Sequence, residues 1–251
     1  MKISHEVPIC LLEESRSFND FDYALVHLFK KFPKYLEFYK ESLRQNRIVY
    51  LDNSLFELET PFNSDEFAKW CTELGSISPK SFYYIVPDSL EDYEFTKKNF
   101  QSFQYDIPGN KIGVVQGKTP EEVLECFMFM KDNADVVALS FDYSFWGKDL
   151  EKAMMERVKL VHDLKNRGLL ENVKIHLLGC YLPQEASYYK DVPEIFSMDT
   201  SNPIVHGLSK IRYNNGLNIK VKTKLADLIT VEKVPEDVYY NIKEFRKFVG
   251  T

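Results

Sequence analysis

The sequence predicts a single (β/α)8 barrel of the TIM type, in a regular or irregular form. Its 251 residues suit one such barrel. Short apolar runs alternate with longer segments of helical periodicity, which is the pattern of repeated βα units around a parallel sheet. No repeat, low-complexity tract or linker interrupts this alternation. We therefore expect one domain over residues 1–251, with residues 224–251 as a helical cap at its carboxyl end.

The predicted strands are short runs of β-branched, aromatic and aliphatic residues. The last of them is the weakest, because its apolar residues alternate with Lys and Asn, as in a half-exposed strand. The expected strands cover residues 7–12, 48–52, 82–87, 111–115, 136–140, 174–179, 194–199 and, as the weakest, 217–223.

The predicted helices lie between these strands. A charged amphipathic helix is expected over residues 149–167, and residues 20–46 predict one long helix or two helices broken at Pro33. Residues that favour helix N-termini stand at Asn63, Asp88 and Thr119.

Bulk properties exclude several classes of protein. The longest apolar runs fall short of the roughly 20 residues that cross a bilayer, and the first residues lack a signal-peptide core, so we expect a soluble, cytoplasmic protein without a membrane partner. Four scattered cysteines indicate neither a disulfide framework nor a zinc site, and we expect reduced thiols. A net charge of −6 provides no general attraction to nucleic acid, which would need a local patch.

Polar residues follow the predicted strands at the end where barrels of this class carry their active sites. Such a set supplies a nucleophile, a general acid/base and a hydrogen-bonding edge for a heterocycle. Alternatively, each residue caps the following helix, and for Asp88 alone the two interpretations are balanced. For the set of four, three carboxylates and an amide, function is favoured. The residues that follow the strands are Asp52, Asp88, Gln116, Ser140, Asp142, Gly179 and Asp199.

Four segments resemble motifs of the tRNA-guanine transglycosylases, in the same order and with similar spacing over residues 48–206. LDNSLFE (51–57) resembles their Asp-Ser-Gly-Gly-Phe-Gln segment, and VVQG (114–117) resembles Val-Gln-Gly. HLLGCYLP (176–183) is similar to Leu-Met-Gly-Val-Gly-x-Pro, and FSMDTSNP (196–203) to Met-Phe-Asp-Cys-x-x-Pro. Each motif alone is weak, and the four motifs together are moderately specific.

The resemblance implies roles for individual residues. Asp199 is the expected nucleophile, which attacks C1′ of the target nucleotide, and Asp52 is the expected general acid/base. Asp88 and Gln116 are expected to bind the edge of the base. The other residues expected to bind the substrate are Asn53, Phe56, Gly117, Ser140, Asp142 and Gly179.

The sequence also departs from that family. No cysteine lies between residues 200 and 251, so we expect no zinc subdomain and no metal. Asn53-Ser54-Leu55 replaces Ser-Gly-Gly, and SFDYS (140–144) replaces a glycine-rich loop that lies over the base. A short, zinc-free chain resembles the DNA-acting relatives, which exchange guanine for a 7-deazaguanine or, as antiphage glycosylases, excise a modified base.

These observations predict a DNA base transglycosylase without a cofactor, which binds a flipped-out nucleotide and a free base as second substrate. Asp88 and Gln116 together favour guanine and exchange. The alternatives are a DNA glycosylase that leaves an abasic site, and a barrel enzyme for free nucleosides or sugar phosphates. A non-catalytic binding module is disfavoured, because both Asp52 and Asp199 are present. The oligomeric state stays open.

Several further residues have two interpretations. The histidines lie in the core or near the substrate, the aromatic residues in the core or against a base, and the cations in solvent or against phosphates. These residues are His176 and His206; Tyr50, Phe56, Phe141 and Tyr143; and Lys118, Lys148, Lys210 and Arg212.

Overall fold

The computed structural model describes residues 1–219, 221 and 223–250. Eight parallel strands alternate with helices along this part of the chain, which confirms the predicted (β/α)8 TIM-type fold. Their order in the sheet is β1-β8-β7-β6-β5-β4-β3-β2. The strands are β1 (Lys2–His5), β2 (Asp22–Leu25), β3 (Val49–Asp52), β4 (Phe82–Ile85), β5 (Asn110–Val115), β6 (Val136–Ser140), β7 (Ile175–Leu178) and β8 (Ile195–Thr200).

The helices follow the strands, and several are single turns. The α-helices are α1 (Leu12–Ser15), α2 (Pro33–Arg44), α3 (Leu55–Leu58), α4 (Ser64–Gly75), α5 (Tyr93–Ser102), α6 (Pro120–Asn133), α7 (Leu150–Asn166), α8 (Asn202–Leu208), α9 (Tyr213–Gly216) and α10 (Glu236–Val249). Short 3-10 helices cover Ile9–Leu11, Val26–Leu28, Ser144–Trp146, Pro183–Tyr189 and Leu225–Leu228.

The chain forms two compact units. The first unit comprises residues 1–19 and 141–251, and the second comprises residues 20–140. The second unit contains β2 to β6, whose residues are almost all buried, as is usual for parallel strands covered on both faces. The first unit contains β1, β7 and β8, together with helices α7 to α10.

Two helix starts in the second unit agree with the sequence. The side chain of Asn63 accepts the Glu66 N–H at 2.9 Å, and that of Thr119 accepts the Glu122 N–H at 3.3 Å. The predicted helix start at Asp88 was wrong. Asp92 caps α5 instead, and its side chain accepts the Phe95 N–H at 3.0 Å. Asp88 therefore does not cap this helix.

The beginning of the chain differs from the prediction. Residues 7–12 are not a strand, because Pro8 precedes a 3-10 helix and α1 follows it directly. The strand lies earlier, at β1, where Lys2 to His5 pair with Ser197 to Thr200.

Residues 20–46 also contain a strand that the sequence did not predict. Asp22–Leu25 forms β2 and pairs with Val49–Asp52. Pro33 does not break a helix but starts α2, a position where its missing N–H costs nothing.

The expected eighth strand at 217–223 was wrong for the residues that the structure describes there. Residues 217–219, 221 and 223 are not in a strand, whereas Lys220 and Lys222 lie outside the described residues. The Ile219 carbonyl oxygen lies 2.8 Å from Nε2 of His206, so a side chain contacts this backbone group instead of a neighbouring strand.

The first unit contains the predicted charged helix as α7, whose start is capped by Asp149. Helices α8 and α10 approach closely at Gly207, where a Cβ atom would lie 2.4 Å from Cα of Val238.

Cys10, Cys71, Cys126 and Cys180 are free thiols. Within the described residues, no helix is both long enough and apolar enough to cross a membrane.

We predict that Asp92→Ala lowers the free energy of unfolding by about 1 kcal/mol, because the Phe95 N–H loses its cap. Urea denaturation measures the change. Asp92→Ser keeps a capping oxygen and is expected to lose only a small part of this stability. Equal losses in both variants would contradict the capping role.

Candidate active site

In the second unit, polar residues stand at the ends of three neighbouring strands. Asp52 is the last residue of β3, Asp88 follows β4, and Gln116 follows β5 directly. The register pairs these strands side by side. The structure brings Asp88 and Gln116 into contact and adds Asn53, so we call Asn53, Asp88 and Gln116 the Asp88 cluster.

Asp88 lies at the centre of this cluster and is only 6% exposed. Its Oδ1 accepts a hydrogen bond from Nδ2 of Asn53 at 2.8 Å, and its Oδ2 accepts one from Nε2 of Gln116 at 2.7 Å. Burial raises the pKa of the Asp88 carboxyl, although the two amide hydrogen bonds lower it in part. The carboxyl therefore takes up a proton more readily than an ordinary aspartate.

The two amides of the Asp88 cluster have fixed orientations. Oδ1 of Asn53 accepts the Leu55 N–H at 2.9 Å, and Oε1 of Gln116 accepts the Glu91 N–H at 2.9 Å. Because each oxygen accepts a backbone N–H, each NH2 group points towards Asp88. The cluster therefore presents donors and acceptors in a set arrangement.

Asp52 is half-buried and is held by two donors. Its Oδ1 accepts the Ser54 N–H at 2.5 Å, and its Oδ2 accepts the Tyr23 hydroxyl. Tyr23 lies on β2, which the sequence predicted as helix, and so this contact was missed. The run Asp22–Leu25 has only four residues, which is too short to indicate a strand by its pattern.

In the first unit, Asp199 lies on β8 and is buried. Its Oδ1 accepts the Gly179 N–H at 3.2 Å and lies 3.0 Å from Nε2 of His176. Nδ1 of His176 lies 2.9 Å from Oγ of Ser197. We call His176, Gly179, Ser197 and Asp199 the Asp199 cluster.

A register shift between β7 and β8 helps to form the Asp199 cluster. Ile175 pairs with Ile195, but His176 pairs with Ser197, so one extra residue of β8 is accommodated between them. Such irregularities re-aim side chains and are common near active sites. His176 is fully buried, as its core interpretation predicted, and it also contacts Asp199.

Gly179 has a backbone conformation that other residues adopt rarely, with φ +58°. A Cβ atom here would lie 2.7 Å from the ring of Phe141, so the ring packs directly on the glycine. Phe141 also packs edge-on against Tyr181, whose hydroxyl donates to Asp142. The structure therefore brings Phe141, Asp142 and Gly179 together.

A buried ion pair that the sequence did not indicate adjoins Gly179. Arg157 and Glu185 are each 1% exposed, and their guanidinium and carboxylate groups form two hydrogen bonds of 2.6 and 2.9 Å. Nη1 of Arg157 donates to the Leu178 carbonyl at 2.9 Å, and Nη2 donates to the Gly179 carbonyl at 2.7 Å. Arg157 was missed because residues 149–167 have the pattern of a solvated charged helix.

The remaining predicted residues have diverse positions. Ser140 is half-buried at the end of β6, and Phe56 is exposed on α3. Gly117 packs on α6, where a Cβ atom would lie 2.8 Å from Cβ of Glu122. Tyr50 and Tyr143 are fully buried, which confirms their core interpretation.

The other histidine and the four cations differ in their surroundings. His206 is buried, and its Nδ1 lies 2.8 Å from the Asn202 carbonyl oxygen. Arg212 pairs with Asp237 at 2.6 Å. The exposed lysines are Lys118, Lys148 and Lys210.

The described residues contain no group of three His, Cys, Asp or Glu side chains arranged to hold a metal ion. Comparison with protein-family models finds no match to the chain, and comparison with curated proteins finds none either.

We predict that Asp88 makes stability decline as the pH rises. The pKa of its carboxyl is raised in the folded state, so the folded protein keeps this proton at pH values where the unfolded chain has lost it. The free energy of unfolding of the wild type minus that of Asp88→Asn should therefore fall from about pH 4 upward and then level off above the folded-state pKa. Urea denaturation at several pH values measures this difference.

Asp191→Asn is the matched control, since a backbone hydrogen bond lowers the pKa of this exposed carboxyl. The corresponding difference should rise with pH, mainly below the usual aspartate pKa of about 3.9. A difference for Asp88→Asn that is constant or rises with pH would contradict the prediction.

Proposed function

We propose that the protein cleaves the N-glycosidic bond of a nucleobase in DNA and exchanges guanine for a 7-deazaguanine. The observation that carries the proposal is the buried carboxylate of Asp199, which is held at one oxygen by the Gly179 N–H. It lies in the segment FSMDTSNP, which resembles the nucleophile segment of the tRNA-guanine transglycosylases. A carboxylate in this position is suited to attack an anomeric carbon.

Asp199 acts as the nucleophile in this proposal. Its contacts with Gly179 and His176 both involve Oδ1, so Oδ2 is the oxygen that attacks. A bond forms between Oδ2 and C1′ while the bond between C1′ and the base nitrogen breaks, and the base leaves with the electron pair. The transition state resembles an oxocarbenium ion, which a facing carboxylate stabilises.

Asp52 moves the protons in this proposal. It gives a proton to the departing base and takes one from the incoming base, whose nitrogen then displaces Asp199 from C1′. The Ser54 N–H and the Tyr23 hydroxyl hold the two carboxyl oxygens in place. Fixed orientation of this kind is what general acid/base catalysis requires.

The Asp88 cluster binds the base edge in this proposal. Guanine carries a ring N–H and an amino group that a carboxylate accepts, and an exocyclic oxygen that an amide NH2 binds. The pinned oxygens of Asn53 and Gln116 support this role, because they leave the NH2 groups as the donors of the cluster.

The target nucleotide leaves the base stack to react, as the chemistry on a duplex base requires. Phe56, which is 44% exposed on the helix that follows β3, supports this role as a stacking surface. Lys118, Lys148 and Lys210 are exposed and suited to phosphate contacts.

The experiment that tests the reaction incubates the protein with DNA that carries unmodified or modified bases, with and without free 7-deazaguanines. Mass spectrometry then measures released bases, incorporated bases and abasic sites. Multiple-turnover release of guanine only when a 7-deazaguanine is supplied and incorporated supports the proposal. Release that leaves abasic sites would instead indicate a glycosylase, and no release from any DNA would contradict action on DNA.

We predict that Asp199→Asn and Asp199→Ala reduce base release by a factor of roughly 10⁴ or more, because both variants lack the attacking carboxylate. Single-turnover release measures the rate, and circular dichroism checks the fold. Asp191→Asn, which neutralises an exposed carboxylate of the same unit, is the control and should keep wild-type activity. Wild-type release by a folded Asp199→Ala variant would overturn the mechanism.

A further inference from the structure

We propose that the buried Arg157–Glu185 ion pair positions the Asp199 carboxylate through the peptide group between Leu178 and Gly179. The inference rests on the proposed function where it takes Asp199 as the nucleophile. The contacts that carry it lie within the first unit. Arg157 and Glu185 are thus positioning residues that act through another group.

One peptide group links the guanidinium to the carboxylate. Nη1 of Arg157 donates to the Leu178 carbonyl at 2.9 Å, and the Gly179 N–H of the same peptide donates to Oδ1 of Asp199 at 3.2 Å. A peptide group is planar, so fixing its carbonyl also fixes the direction of its N–H. Arg157 therefore sets where the N–H meets Asp199.

The same contact strengthens the donor. A hydrogen bond from a cation draws electron density towards the carbonyl oxygen and makes the N–H of that peptide a better donor. Asp199 then receives a stronger hydrogen bond at Oδ1, which orients Oδ2 for attack. The positive charge acts on the carboxylate without touching it.

A second contact holds the other side of Gly179. Nη2 of Arg157 donates to the Gly179 carbonyl at 2.7 Å, so the guanidinium binds two successive carbonyls. With φ +58°, the glycine turns the chain so that both carbonyls are within reach of one side chain. Arg is suited to this task because its donors form a rigid planar fork, which Lys lacks.

Glu185 keeps the guanidinium in place. It binds Nε and Nη2 of Arg157, and the hydroxyl of Tyr189 donates to its Oε1 at 2.7 Å. Burying such a pair contributes little stability, and well-packed apolar residues often do as well or better. The ion pair therefore acts mainly by holding the peptide groups on both sides of Gly179 in place. Its effect on activity exceeds its effect on stability.

The test replaces the whole pair by apolar residues in Arg157→Met/Glu185→Leu, which leaves no unpaired buried charge. The matched control is Arg47→Met/Asp22→Leu. This second pair lies in the second unit and forms two hydrogen bonds of 3.0 Å, with Asp22 at the start of β2. Thermal unfolding of both variants is measured alongside activity.

We expect the Arg157/Glu185 variant to fold and to lose roughly 100-fold in kcat, while KM changes by less than about threefold. The control should keep kcat within about twofold. Arg157→Lys, which retains the charge but not the fork, should fall between the wild type and the double variant. It also serves as the test variant if the double variant does not fold. Wild-type kcat in the folded test variant would overturn the proposal.

A second measurement does not depend on catalysis. Labelling with ¹³C′-leucine and ¹⁵N-glycine selects only the Leu74–Gly75 and Leu178–Gly179 peptides, because no other glycine follows a leucine. Leu178→Ile removes the Gly179 signal and so identifies it, and Gly75 in the second unit is the internal control.

In the Arg157/Glu185 variant, the Gly179 amide proton should shift upfield and exchange with solvent roughly tenfold faster, while Gly75 stays unchanged. An unchanged Gly179 signal would overturn the link between the ion pair and Asp199. If the wild type releases no base from any DNA, the proposed function fails, and the Gly179 signal alone still decides whether the ion pair holds this peptide.

Discussion

Carboxylates buried at strand ends must find hydrogen-bond donors, because burying a charged group without partners is costly. Asp88 and Asp199 meet this requirement in different ways. Asp88 uses the side-chain amides of Asn53 and Gln116, whereas Asp199 uses a backbone N–H and lies against His176. The surrounding strand ends, loops and bulge are arranged around these donors.

This requirement makes both clusters rigid. The amide oxygens near Asp88 are pinned by the Leu55 and Glu91 N–H groups, and the peptide near Asp199 is pinned by Arg157. Hydrogen bonds that are fixed before the substrate arrives cost no reorganisation during reaction. The same contacts that allow burial therefore also fix the orientation of these groups.

Much of the sheet could be predicted from the sequence, because β3 to β8 lie in predominantly apolar runs. β1 and β2 could not, because KISH is short and largely polar and DYAL is only four residues long, and their pairing with β8 and β3 decides their structure. The alternating pattern of 217–223 was misleading for the opposite reason. There, the sequence pattern resembles a strand, but the described residues do not pair as one.

The candidate site was partly predictable. The position of Asp52, Asp88, Gln116 and Asp199 after apolar runs is a local property of the sequence. Which groups contact them is not local, as the pairs Tyr23 with Asp52 and Asn53 with Asp88 are separated by 29 and 35 residues. The burial of Arg157 could not be predicted for the same reason. Only tertiary structure distinguishes a buried charged residue on an amphipathic helix from a solvated one.

The central claim, that Asp199 is a nucleophile, is tested most directly by searching for its covalent adduct. The wild type is mixed with a DNA oligonucleotide, quenched in acid within the first turnover, and analysed by intact-protein and peptide mass spectrometry. We predict a species with the mass of the protein plus the oligonucleotide minus one base, with the sugar attached to Asp199. Base release with the sugar attached to another residue would contradict it.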